Sequence, residues 1–276
     1  MNEVNKTLYI PLYGKAKVSR QGIILNDPYA EGIWKEEEFP IHGKSRSKWL
    51  AYNMAMRARV FDDWTDGLLQ QNEDALVLHI GCGLDSMYVR IKSSRSEWID
   101  CDLPDVIEIR KKHFQENATY HMKALDASRP EQIGSLPNRD AAIVVMEGLS
   151  MYLTNSQLHG LLQALDKKYQ ILHILIDVYT DFGAKASNYK NPVKDVGVTR
   201  LYGIDDIESI LYGLRIRIVK EHSFTPEELV NELAPLERLF FKMLFTGKIY
   251  RKIYRLYELE AQVPGLRDLD TPEFAG

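Results

Sequence analysis

Cysteine is scarce in this chain, and its scarcity excludes two kinds of stabilising cross-link. The 276 residues include only Cys82 and Cys101, too few for a disulfide framework or a four-cysteine metal site. The seven histidines show no H-E-x-x-H spacing, so zinc chemistry is unsupported as well. We therefore predict no metal site and a reducing, cytoplasmic setting.

Long apolar runs and an excess of positive charge are also missing. No stretch approaches the roughly 18 apolar residues of a membrane span, and the opening MNEVNKTLYI lacks the apolar core of a secretory signal. The net charge is −4 and the pI is about 6.0, whereas proteins that bind nucleic acid usually carry a basic face. We predict neither a membrane nor a nucleic-acid partner.

The composition that remains is typical of a globular protein, with 45% hydrophobic and 27% charged residues. A length of 276 residues favours one large domain with additions over two full domains. We predict a single domain, in which residues 1–72 form a mostly helical N-terminal cap or lid. Residues 73–276 are expected to form the sheet core.

Short apolar runs alternate with helical patterns through the middle of the chain. Such alternation predicts a parallel sheet with helices on both faces. We expect strands at 75–80, 96–103, 118–126, 140–148 and 170–179. Beyond them, the pattern predicts a helix over 204–214, a strand over 215–224 and a largely helical insertion over 226–260.

The first of these strands ends in the glycine turn ALVLHIGCGLDS, residues 75–86. Gly81 and Gly83 permit a sharp turn and close approach of a ligand to the backbone, although small glycine turns also close many ordinary loops. Ser86 stands where a dinucleotide fingerprint places its third glycine, and no P-loop pattern is present. The sequence therefore disfavours a pyrophosphate ligand and, with it, a nicotinamide oxidoreductase.

An acidic residue, Asp102, ends the second predicted strand about 20 residues after the glycine turn. Such a carboxylate accepts hydrogen bonds from a ribose diol; alone, it is equally a surface aspartate. The turn and Asp102 together indicate a nucleoside ligand without pyrophosphate, and S-adenosylmethionine fits this description. Asp126 ends the third strand and, with the backbone of Ala127, is a plausible partner for adenine.

Six stretches then match a known family in the right order. They are TLYIPLYGKA, ILNDPYAEGI, RARVFDD, LHIGCGLDS, DCDLPDVIEIRK and MEGLSMYL, within residues 7–180. On these motifs the chain resembles the leucine carboxyl methyltransferase family, and within it the bacterial tetracenomycin-type polyketide carboxyl methyltransferases. The resemblance implies a Rossmann-like, seven-stranded S-adenosylmethionine-dependent methyltransferase fold, of class α/β, with an N-terminal helical cap and late helical insertions.

The resemblance also implies site residues. The cofactor would contact Lys15, Arg57, Gly81, Cys82, Gly83, Asp102, Leu103, Asp126, Ala127 and Glu147. Lys17 remains an alternative to Lys15, and Arg59 an alternative to Arg57. Tyr152 matches a tyrosine that lines the reaction centre, while many members have alanine where this chain has Cys82.

The charges of this set suit the amino-acid end of S-adenosylmethionine, which is zwitterionic. Arg57 can grip a carboxylate with two hydrogen bonds, although it also suits a solvated helix face. Glu147 can pair with the ammonium group. It follows the apolar run AAIVVM, where an ionised group is costly unless it is paired.

The resemblance predicts methyl transfer to a carboxylate of a small-molecule, polyketide-like acceptor. A carboxylate is already ionised at neutral pH and needs no general base, whereas a phenolic acceptor would need one. The candidates to hold the acceptor alongside Tyr152 are Tyr179, at the end of the fifth strand, and three residues that follow it: Lys185, Tyr189 and Arg200. The EGLSMY segment is not a hydrolase elbow, since Tyr152 replaces the second glycine.

Two alternatives stay open from the sequence. One is a catalytically inert methyltransferase-fold protein that binds the cofactor or a partner. The apolar residues of 236–260 form either a homodimer face or ordinary core packing.

Overall fold

The computed structural model describes residues 7–37, 39–91, 96–190 and 200–262. The strands are β1 (Leu76–Ile80), β2 (Trp98–Asp102), β3 (Tyr120–Ala124), β4 (Ala141–Met146), β5 (Ile171–Tyr179), β6 (Arg217–His222) and β7 (Tyr254–Ala261). The helices before β5 are α1 (Tyr9–Ser19), α2 (Pro28–Glu37), α3 (Lys48–Leu69), α4 (Met87–Arg90), α5 (Pro104–Arg110) and α6 (Asn155–Lys168). Those after it are α7 (Asp181–Lys190), α8 (Ile207–Leu211), α9 (Glu227–Asn231), α10 (Pro235–Phe245) and α11 (Gly247–Arg251).

The seven strands form one sheet in the order β3-β2-β1-β4-β5-β7-β6. Strands β1 to β5 pair in parallel, while β7 runs antiparallel between β5 and β6. The chain reverses its direction of travel across the sheet between β1 and β4. In such sheets a crevice opens beyond the carboxyl ends of the two strands at this switch point, and ligands bind there.

Both faces of the sheet are covered, which explains the uninterrupted apolar runs of its central strands. Every residue of β1 is buried. One apolar core lies under the N-terminal helices, and the other lies on the opposite face, where α6 packs. Thr154 caps the start of α6 and forms a reciprocal capping box with Gln157.

The predicted strands are confirmed, each within two residues at either end. The expected helical insertion over 226–260 is wrong in its last part, because residues 254–261 form β7. Its sequence, YRLYELEA, is rich in helix formers, and its apolar residues do not alternate cleanly. Pairing on both sides, with β5 and β6, selects the strand despite that local pattern.

Within the described ranges, no helix combines the length and apolarity needed to cross a bilayer.

Candidate active site

A cavity of about 500 Å³ lies at the switch point, beyond the carboxyl ends of β1, β2, β4 and β5. Its walls come from α1, α3, the glycine turn and the loops after β2, β3 and β4. All ten residues predicted to contact the cofactor line it. Tyr152 and Tyr179 line it too, so one cavity joins the cofactor set to two candidate acceptor groups.

The glycine turn has the backbone geometry that the sequence suggests. Gly81 and Gly83 both have positive φ, at 78° and 52°, a region open to glycine at little cost. A Cβ on Gly81 would come within 3.0 Å of the Leu149 side chain. Burial raises the pKa of the Cys82 thiol well above its usual range, so Cys82 contributes a small neutral wall and no nucleophile.

Asp102 fastens the glycine turn to the end of β2. One carboxylate oxygen accepts the N–H of Gly83 and the other accepts the N–H of Leu103, each at 2.7 Å. A carboxylate offers about four lone-pair sites, so two remain for a ligand in the cavity that Asp102 lines. Beyond it, Asp126 accepts hydrogen bonds from the N–H and hydroxyl of Ser128.

Arg57 and Glu147 meet in the buried floor of the cavity. The Oε1 atom of Glu147 lies 3.1 Å from Nε and 3.0 Å from Nη2 of Arg57, and 3.3 Å from the Lys15 ammonium. Its Oε2 atom is buried and has no hydrogen-bond partner among the described residues. A buried acceptor without a partner is costly, so this oxygen is suited to an incoming ammonium group.

Two residues that the sequence did not single out hold the far side of Arg57. Its Nη1 atom donates to Asp177 at 3.0 Å and to the Tyr254 hydroxyl at 2.9 Å. Tyr254 also donates to Asp177, which accepts the N–H of Gly148 at 2.7 Å. The signal for Asp177 was an acidic residue inside the apolar run ILHILIDVY, where a charge needs a partner. Tyr254 was missed because the sequence pattern predicted a largely helical insertion over 226–260, away from the sheet.

A second buried charge cluster, which we call the Arg90 hub, ties the N-terminal helices to the glycine turn. Arg90 pairs with Asp27 at 2.7 Å, with Asp62 at 2.6 Å and with Asp85 at 2.6 Å. Asp85 also binds Lys15 at 2.7 Å. Although burial opposes ionisation, Arg90 and Lys15 hold the pKa of Asp85 well below its usual range.

Tyr152 and Tyr179, the two tyrosines predicted to hold the acceptor, remain protonated at neutral pH. Burial raises the pKa of Tyr152 to about 12 and also raises that of Tyr179. The ring of Tyr179 lies 4.5 Å from that of Tyr254. These phenols can donate hydrogen bonds but cannot serve as bases.

The sequence left Lys15 or Lys17, and Arg57 or Arg59, as alternatives for binding the cofactor carboxylate. Of these, Lys15 and Arg57 line the cavity. Lys17 lies over the ring of Tyr13, 5.6 Å from its centre. Arg59 pairs with Asp63 on the exposed side of α3, at 2.8 Å.

Two predicted acceptor groups after β5, Lys185 and Arg200, are not brought to the cavity. Arg200 is exposed and its guanidinium lies over Tyr202, 5.0 Å from the ring centre, while the next residue, Leu201, turns into the cavity wall. This placement does not support the predicted role of Arg200. Lys185 is exposed, and the side chain of Tyr189 lies outside the described residues.

Comparison with known proteins identifies the family. The sequence model of the leucine carboxyl methyltransferases matches residues 14–166, more than half of the chain. The tetracenomycin polyketide synthesis O-methyltransferase TcmP of Streptomyces glaucescens is 28% identical over 243 residues, covering 85% of this chain and 88% of that protein. The S-adenosyl-L-methionine-dependent methyltransferase dpfgK of Gibberella zeae is 26% identical over 238 residues, covering 77% and 80%.

Solved structures share the fold at low sequence identity. Magnesium protoporphyrin IX methyltransferase from Synechocystis PCC 6803, with bound SAH, superposes with a TM-score of 0.52 at 11% identity, covering 84% of this chain and 94% of that chain. A SAM-dependent methyltransferase from Anabaena variabilis gives 0.52 at 16% identity, covering 86% and 94%. The predicted fold, family and cofactor are confirmed. The chain belongs to the leucine carboxyl methyltransferase family and is an S-adenosylmethionine-dependent methyltransferase.

Proposed function

We propose that this protein transfers a methyl group from S-adenosylmethionine to a carboxylate oxygen of a small, polyketide-like acceptor. The observation that carries the proposal is one shared cavity, which is lined by all ten residues predicted to bind the cofactor and by the two tyrosines. The family's carboxyl chemistry and the polyketide O-methyltransferase among the relatives support the choice of acceptor.

The amino-acid end of the cofactor suits the charges in the cavity floor. The orphaned Oε2 of Glu147 would accept from the ammonium group. Lys15 and Arg57 both lie within about a hydrogen-bond length of Glu147, so either cation can turn part of its donor set to the carboxylate. Asp102 would hold the ribose diol, and Asp126 would lie beside the adenine.

The acceptor end favours a substrate that arrives ionised. Each of the four lining carboxylates already has partners. Asp85 and Glu147 each pair with two cations, Asp102 accepts two backbone N–H groups, and Asp126 accepts the N–H and hydroxyl of Ser128. The lining histidine, His79, lies within β1 and faces Asp100, 3.5 Å away. In this assignment the open sites of Glu147, Asp102 and Asp126 serve the cofactor, so no lining carboxylate is left to deprotonate a phenol, and a carboxylate acceptor needs no such help.

The cofactor supplies an electrophilic methyl group on a sulfonium. The chain's own contribution is therefore to align the acceptor oxygen with that methyl group and to exclude water. Orientation of this kind is worth about 7–11 kcal/mol in favourable cases. Tyr152 and Tyr179 would donate hydrogen bonds to the acceptor carboxylate, and Leu201, Met151 and Met54 would keep the site dry.

The cofactor assignment is tested by calorimetric titration of S-adenosylhomocysteine. We expect the substitution Asp102→Ala to weaken binding by tenfold or more, about 1.4 kcal/mol, because it removes the ribose acceptor and releases the N–H groups of Gly83 and Leu103. Glu108→Ala, in the adjoining helix, removes only an exposed pair with Lys111 and should leave affinity unchanged. If Asp102→Ala and Glu108→Ala bind S-adenosylhomocysteine with equal affinity, Asp102 does not contact the cofactor.

The identity of the accepting group is tested with hydroxynaphthoic acids, which offer a carboxylate and a phenol in one molecule. We expect the product to be a methyl ester, which alkali hydrolyses, and not an aryl ether, which alkali leaves intact. We also expect kcat/KM to stay flat between about pH 6 and about pH 9, because the acceptor carboxylate is ionised throughout and Tyr152 stays protonated. A rate that rises tenfold per pH unit would indicate a phenolic acceptor instead.

The role of Tyr152 is tested by Tyr152→Phe. We expect kcat/KM to fall tenfold or more, since a hydrogen bond to a charged group is worth about 1.5–3 kcal/mol, while affinity for S-adenosylhomocysteine stays within twofold. Tyr169→Phe is the matched control. That buried tyrosine follows α6 and donates to the Pro137 carbonyl outside the cavity. Parallel losses in both variants would point to a general packing effect.

A further inference from the structure

One face of α10 is apolar and exposed along its whole length. It carries most of the large hydrophobic side chains that the described part of the chain exposes. We call these residues the α10 stripe: Leu236, Leu239, Phe240, Met243 and Leu244. Leu236 is 74% exposed and Met243 68%. The spacing of three and four residues places all five on one side of the helix.

The opposite face of α10 is firmly attached to the protein. Phe241 is fully buried, and its ring packs 6.4 Å from that of Tyr52 in α3. Glu237 pairs with Lys48 at 2.7 Å and accepts from the Tyr52 hydroxyl at 2.9 Å. The stripe is therefore presented on an anchored helix, and a helix with apolar residues on both sides is typical of a buried element.

None of the charged side chains of α10 stands in the stripe. Glu237 turns to α3, Arg238 donates to the carbonyls of Asn231 and Leu233, and Lys242 pairs with Glu227 at 3.2 Å. Covering the stripe therefore strands no unpaired charge, which is the main cost of burying a polar surface.

The geometry points to a second copy of this chain as the partner: we propose that the α10 stripes of two copies pack antiparallel about a twofold axis. The five residues expose roughly 600 Å² per copy, at the upper end of the largest apolar patches on monomers. Complete burial of both stripes would remove at most roughly 1,200 Å² from water, the lower end of the range of specific interfaces. A twofold interface needs only one self-complementary patch, and a straight apolar stripe provides it.

A lipid surface fits this helix less well. Helices that lie on membranes carry free lysine and arginine beside their apolar face, whereas Arg238 and Lys242 are engaged within the chain. The net charge of −4 would also oppose binding to anionic lipid.

The oligomeric state of the full chain tests the proposal. By sedimentation velocity at micromolar concentration, we expect the wild type at about twice 31.8 kDa. The double substitution Leu239→Glu with Met243→Glu should weaken self-association at least tenfold. Tyr212→Glu, which alters an 85% exposed residue away from α10, should leave the dimer intact. Thermal unfolding of each variant checks that all three proteins remain folded.

The antiparallel register has its own readout. Phe240 lies at the middle of the stripe, so Phe240→Cys should form an intermolecular disulfide on mild oxidation, while Tyr212→Cys should not. The native Cys82 and Cys101 are buried and do not compete.

A monomeric wild type would overturn the proposal, and so would a dimer that the double substitution leaves unchanged. A monomer that co-sediments with vesicles of phosphatidylcholine and phosphatidylglycerol would assign the stripe to lipid instead. Because none of these measurements depends on methyl transfer, their outcome is independent of the proposed function.

Discussion

Replacing Arg57 with methionine should abolish measurable binding of S-adenosylhomocysteine and lower the free energy of unfolding by about 3–5 kcal/mol. The guanidinium is buried and pairs with Glu147 and Asp177. Methionine fills a similar space but leaves Asp177 buried without its cation and leaves Glu147 with Lys15 alone. Removing one partner of a buried ion pair costs far more than the pair contributes, because the remaining charge stays desolvated.

Arg59→Met, two residues along the same helix, is the control for this experiment. Its pair with Asp63 is exposed, and such a pair contributes about 0.3–0.5 kcal/mol. Urea unfolding gives the stability of each variant, and calorimetry gives its ligand affinity. If Arg59→Met loses ligand while Arg57→Met retains it, the alternative alignment of the two arginines is the correct one.

Replacing Arg110 with methionine should lower the free energy of unfolding by a similar amount, about 3–5 kcal/mol, although Arg110 does not line the cavity. Its side chain is fully buried. It pairs with Asp100 and donates to the Tyr120 hydroxyl at 3.2 Å and to the Gly83 carbonyl at 3.1 Å. Although burial opposes ionisation, Arg110 holds the pKa of Asp100 below its usual range. Loss of Arg110 therefore strands a buried charge and loosens the glycine turn.

The neighbouring substitution Lys111→Met removes only the exposed pair with Glu108 and should change stability by less than about 1 kcal/mol. A double variant, Asp100→Asn with Arg110→Met, should recover part of the loss, because neither residue then leaves a buried charge. If the free energy of unfolding of Arg110→Met lies within about 1 kcal/mol of the wild-type value, Asp100 is not left as a desolvated charge, and water must reach it.

The elements that sequence analysis predicted well are those with strong local signals. Strand β1 is buried on both faces, so its apolar run is continuous and ends at two glycines that need positive φ. Asp102 is the last residue of β2, and Glu147 directly follows the apolar strand β4. At such positions a charge has to be functional or paired. These signals lie within a few residues of one another and survive without knowledge of the fold.

The misses depend on contacts between distant parts of the chain. Tyr254 lies 197 residues from Arg57 in sequence, and no local pattern predicts that pairing. The strand that carries Tyr254 forms only because β5 and β6 supply partners on both sides. Arg200 looked suitable because it follows β5, but the turn of the chain brings Leu201 to the cavity in its place.

The Arg90 hub limits where the chain can be cut without loss of stability. Arg90 draws on Asp27 before α2 and Asp62 in α3, as well as on Asp85 beside the glycine turn. A chain cut after residue 72 would lose two of these three carboxylates, and the Lys15 partner of Asp85 as well. We infer that the N-terminal helices and the glycine turn unfold in one cooperative step. Transplanting a new N-terminal region to change the acceptor would then require carrying both aspartates and the lysine along with it.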